Sequence, residues 1–142
     1  MKYSVFLLLG LLIAVSCKKA DRNVAPDDLL YRTWKQVGVK FDKEAWKPVT
    51  GSPVLEFRTD GGIVHYSPKA ACCAPTQVER RGSVLKVTGT YAGAGCEYVD
   101  CIGPSDIRIV SLTQNQLVLE YMYGAIGAMS ARFEPVPGLS GL

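Results

Sequence analysis

The 142-residue sequence carries one histidine, His65, and a formal net charge of only +3. A lone imidazole leaves little for acid–base relays, which need titratable groups poised beside a reacting atom. No G-x-S-x-G elbow supplies a serine nucleophile. The "GAG" at 93–95 is followed by no helical pattern, so no phosphate-cradling loop is implied. The charge balance is too weak to mark a nucleic-acid partner. Internal repeats, low-complexity tracts and any convincing 3.6-residue period are also missing. The chain therefore reads as a non-enzyme with no cofactor, no metal and no nucleic-acid partner.

One apolar run is present, and it stands at the start. "MKYSVFLLLGLLIAVSC" has Lys2, then an apolar stretch from Val5 to Val15, then a small residue before Cys17. The run is too short to span a bilayer and matches the apolar region of a secretory signal. An A-x-A cleavage pattern is lacking, whereas "AVSC" (Ala14 to Cys17) resembles the bacterial lipobox, with Ala14 where Leu is usual. Residues 1–16 are thus expected to be a lipoprotein signal peptide and Cys17 the lipidated N-terminus. Two or more acyl chains make such an anchor stable, at about 0.8 kcal/mol per buried CH₂. Lys2 is the one charge in residues 1–16, so the mature net charge falls from +3 to +2. Residues 17–28 form a polar tether, 29–135 the domain and 136–142 a short tail. The expected location is the cell envelope, on the periplasmic or exposed face of the outer membrane.

Between tether and tail the dominant period is two. Leu55 and Phe57 alternate with Glu56 and Arg58, Leu85 and Val87 with Lys86 and Thr88, and Ile107 and Ile109 with Asp106 and Arg108. Leu117, Leu119, Tyr121 and Tyr123 do the same, as do Met129, Ala131 and Phe133. Such alternation gives strands with one buried and one wet face. "TDGG" at 59–62, "RRGS" at 80–83 and "TQNQ" at 113–116 are hairpin turns. Eight strands are predicted near 34–41, 54–58, 62–66, 76–81, 83–88, 106–111, 116–123 and 128–134. Asp27 or Asp28 can cap a short helical turn ahead of them. The predicted fold is all-β: an eight-stranded up-and-down antiparallel barrel, closed to remove its edges.

The capped turn, "LLYRTW", the strand meander and the closing "LTQNQLVLEYMY…ARFEP" resemble the small lipocalin-like domains of bacterial envelope lipoproteins. Those domains begin L-x-G-x-W, and Leu30 and Trp34 fit, with Arg32 in place of the glycine. The resemblance implies that Trp34 plugs the closed end and that the barrel takes a small hydrophobic or amphipathic ligand.

Loop parity then locates the mouth. In a meander alternate connections share an end, so the three tight turns lie with Trp34 at the closed end. The long connections 42–53, 67–75, 89–105 and 124–127 share the other. Interior positions near that mouth include His65 or Tyr66, Val87, Ile107, Tyr121, Tyr123 and Met129, the candidate ligand-binding set. Two mouth loops hold Cys72, Cys73, Cys96 and Cys101, an even set that favours disulfides in an exported domain. Neighbouring Cα atoms lie about 3.8 Å apart, which disfavours a bond between Cys72 and Cys73. Cross-pairing between the loops is natural, each bond contributing roughly 3 kcal/mol, with the connectivity left open. The rival is a thiolate metal or redox site with His65 as a further ligand, but CC and C-x4-C are not the usual zinc spacing. A second reading has the mouth loops meeting another envelope protein.

Overall fold

The computed structural model describes residues 28–137, apart from 52 and 69. Cys17, the signal segment and most of the tether lie outside the described residues. The described chain is nearly all β: β1 (Thr33–Phe41), β2 (Lys47–Pro48), β3 (Val54–Phe57), β4 (Ile63–Ser67), β5 (Pro75–Arg81), β6 (Val84–Thr90), β7 (Asp106–Leu112), β8 (Leu117–Met122) and β9 (Ala128–Pro135). Eight of them run in the order β4-β3-β1-β9-β8-β7-β6-β5, every pairing antiparallel, and β2 adds to β1 as a flap. This is the expected meander, with the last strand returning to the first.

The inward positions of the alternating pattern make the core. Trp34, Leu85, Ile107, Leu117, Leu119 and Phe133 are buried, with Leu30, Leu55, Phe57, Ile63, Val78 and Ala131 around them. Each large side chain buried this way stabilises the fold by about 1.5–3 kcal/mol. Where a helical turn was expected before β1, there is a single hydrogen-bonded turn. The Asp28 carboxylate accepts the Leu30 N–H at 3.1 Å, and the Tyr31 N–H reaches the Asp28 carbonyl at 3.2 Å. The cap is present without a helix because β1 begins at Thr33.

Closure is incomplete at one seam. Between β4 and β5 the single ladder contact is the bridge Gly62–Gln77. Pro75 opens β5 without an N–H to donate, so no regular ladder can start there. Individual bonds close the gap instead: Val78 N–H to the Gly61 carbonyl and the Gln77 amide to the Asp60 carbonyl, both at 2.9 Å. Gly61 is fixed by this contact. Its φ is +88°, and a Cβ there would stand 2.3 Å from the Val78 carbonyl oxygen.

Candidate functional site

The two ends of the barrel are built differently. At the closed end the Trp34 indole donates to the Leu30 carbonyl at 3.0 Å and is fully buried. Arg32 lies over its ring at 4.3 Å and donates to the Thr113 and Gln114 carbonyls at 3.1 and 2.7 Å. The residue standing where the resembled pattern has glycine thus ties the plug to the β7–β8 turn. Its Nε is the one buried side-chain polar atom without a partner among the described residues. Arg80 pairs with Asp28 and stacks toward Tyr31 at the same end.

At the other end Cys72 is bonded to Cys96 and Cys73 to Cys101, with Cα separations of 5.6 and 6.1 Å. Adjacent cysteines therefore cross-link one loop to the other. Backbone bonds reinforce the seam between the loops: Cys73 N–H to the Tyr91 carbonyl at 2.9 Å and Tyr91 N–H to the Ala74 carbonyl at 2.8 Å. All four sulfurs are engaged, and no His/Cys/Asp/Glu cluster among the described residues could hold a metal ion.

Beneath this roof lies a half-open cavity of about 330 Å³. Its walls include Gln36, Leu55, His65, Tyr121, Tyr123 and Met129, with Pro53, Pro68, Pro75, Ile102, Pro104 and both disulfide-bonded Cys72 and Cys73 around the rim. Among the described residues, no lining side chain carries a fixed charge. A second space, sharing Leu55, His65, Pro75 and Tyr121 with it, measures only about 10 Å³, so the barrel below is filled by its own side chains.

Of the expected set, the cavity brings together His65, Tyr121, Tyr123 and Met129. Ile107 lies in the packed layer below, and Val87 packs against the core without reaching the cavity wall. Tyr66 is on the outside, its hydroxyl bonded to Glu56, which pushes that phenol above its ordinary pKa. Between His65 and Tyr66, the interior position is His65. Its Nε2 donates to the Pro75 carbonyl at 2.9 Å, since a carbonyl can only accept.

Sequence reasoning missed Gln36 and the proline-rich rim. Gln36 shares the face of Trp34 two residues earlier on β1, so period two alone would have pointed it inward. The prolines sit in loops, where no period assigns a direction. The polar groups of Gln36, Tyr121 and Tyr123 make no hydrogen bond to other described residues, nor are they sealed from the cavity. Burial pushes the Tyr121 phenol well above the ordinary tyrosine value, and Tyr123 adds to that shift. Burial raises the Tyr123 phenol too. The arrangement offers a ligand an apolar floor, aromatic walls and neutral donors and acceptors. In comparisons with known proteins, no family model, no curated protein and no solved structure matches this chain.

Proposed function

We propose that this is a lipid-anchored envelope protein of lipocalin-like kind, whose barrel mouth binds a small, uncharged amphipathic ligand. The observation that carries the reading is the cavity of about 330 Å³, whose described lining bears no fixed charge and whose amide and phenol groups have no hydrogen-bond partner among the described residues. That volume is at the low end of known ligand pockets, so it suits a molecule of one or two rings better than a long acyl chain. A charged ligand would lose its hydration there and find no counter-charge among the described lining residues. The roofing disulfides support the exported location, and the N-terminal sequence ending at Cys17 supports the anchor.

Calorimetric titration with matched pairs of small aromatic compounds, one neutral and one ionised, tests the reading. Neutral members with a hydrogen-bonding group bind, and Tyr121→Phe or Tyr123→Phe weakens them about three- to tenfold, the worth of one hydrogen bond. A panel in which no compound binds, or in which the ionised member is preferred, overturns it.

A second reading draws on the rim. Tyr98 and Ile102 are 99% and 65% exposed on the β6–β7 loop, beside exposed Val99. Apolar side chains grouped this way suit contact with another envelope protein. Ligand binding left intact by Tyr98→Ser would separate that contact from the cavity.

A further inference from the structure

We infer that the outer wall near the mouth carries an oxyanion site, formed by Trp46, Lys40 and Arg132 and suited to a phosphate-class headgroup. The β1–β3 connection folds back so that Gly38 pairs with Pro48 and Val39 with Lys47. Trp46, just ahead of this flap, lies over Gly38. From the place where a Cβ would stand on Gly38, a Trp46 ring carbon is 3.5 Å away and Arg132 Nη2 is 3.6 Å away. Both are ordinary van der Waals distances, so the indole and the guanidinium lie together against the strand at Gly38. Arg132 stands 5.1 Å and Lys40 5.3 Å from the indole centroid.

In register, Arg132 pairs with Gly38 and Lys40 with Ser130, which makes the two cations diagonal neighbours on one outward face. Like charges so placed repel. Neither has a carboxylate partner among the described residues: Glu44 holds Lys47 at 2.7 Å, and Glu120 holds Arg108 at 2.9 Å. Glu134 stands farther along β9, opposite Lys35. All three residues of the site are half-buried, so their charges are less screened than on an open surface. The indole attracts each cation, yet a quadrupole is no counter-ion and does not cancel their repulsion. An oxyanion between them would take charge-assisted hydrogen bonds from the ammonium and from the guanidinium fork. The indole would flank whatever apolar group bears the anion. This site does not depend on the cavity, whose described lining is uncharged and on the inner face.

The phosphate could belong to a free ion or to a membrane lipid, and two probes separate these sources. The full chain is titrated with inorganic phosphate and with water-soluble dihexanoyl phosphatidic acid at constant ionic strength, following tryptophan emission. The expected result is a saturable change with at least one probe. It disappears in Trp46→Phe and needs at least tenfold more probe in Arg132→Gln and in Lys40→Gln, while Lys47→Gln leaves it unchanged. Arg132→Lys, which keeps the charge and loses the fork, falls between. Tighter binding of the phosphatidic acid assigns a lipid headgroup, and equal binding assigns a free oxyanion. Saturation with neither probe, or equal weakening by Arg132→Gln and Lys47→Gln, overturns the site.

Discussion

The closed end and the mouth solve the same problem by different physics. At the closed end the connections are short turns, and the space between strands is filled by Trp34, Phe133, Leu30 and Leu117. Burial holds that end, and hydrogen bonds from Arg32 tie the plug to a neighbouring turn. At the mouth the connections are long and enclose a cavity, so little apolar area is available to hold them. Two covalent bonds between the loops take the place of packing. An end that encloses a cavity cannot also be held by filling itself. Cross-linking the rim keeps the strands together without occupying the space between them.

The comparison is broken most directly by removing each device in turn and measuring urea unfolding. Loss of both disulfides by alanine substitution is expected to cost about 5.5 kcal/mol on the chain-entropy argument. The two bonds span separations of 24 and 28 residues and run side by side, so they share one loop. After the first is removed, the survivor still holds the loops in a short ring. Either single loss therefore costs only about 2 kcal/mol, and the second costs about 3.5 kcal/mol. Trp34→Ala is expected to cost about 4 kcal/mol, from lost burial plus the cavity it leaves. Single losses that add up to the double loss would show that the bonds do not share a loop. A Trp34→Ala protein of near-native stability would show that the closed end is held by something other than its plug.

What the sequence discloses about these ends follows the same division. Strands with one wet face announce themselves by alternation, so Leu117 and Leu119, or Ala131 and Phe133, are legible as core with no structure in hand. Parity of connections then places the cysteines at the mouth, because parity depends only on strand count. The partner of each cysteine depends on loop geometry, and adjacent Cys72 and Cys73 look alike in sequence. The two-residue β2 is too short for any period to register, and Trp46 packs on Gly38 through a turn that neither residue encodes alone. The open seam is similarly hidden, since it arises where Pro75 meets β4 at His65, ten residues away. Arg32 is the sharpest case. It departs from the resembled motif, and its contacts with Trp34 and the β7–β8 turn make it part of the plug.

The smallest effect separates the two ends by pH. Tyr121 lies at the mouth, and burial first, with Tyr123 second, raises its phenol above the ordinary value. A tyrosine in the unfolded chain ionises at about pH 10. Above that pH the unfolded state has released a proton that the folded state still holds, so the unfolded state binds fewer protons and stability falls as pH rises. Below about pH 10 the contribution is fully present, and it is lost progressively through the alkaline range up to the folded-state pKa. Tyr121→Phe removes the titrating group while keeping the ring, so its stability should fall less steeply between about pH 10 and 11. Tyr123→Phe should flatten the slope too, by less, because that phenol is less deeply placed. Trp34→Phe at the closed end should lower stability at every pH and leave the slope unchanged, since an indole does not titrate in this range. Short urea-unfolding measurements at each pH, made before disulfide exchange sets in, read all three slopes. Equal slopes for the parent chain and Tyr121→Phe would show that the alkaline sensitivity does not reside at the mouth.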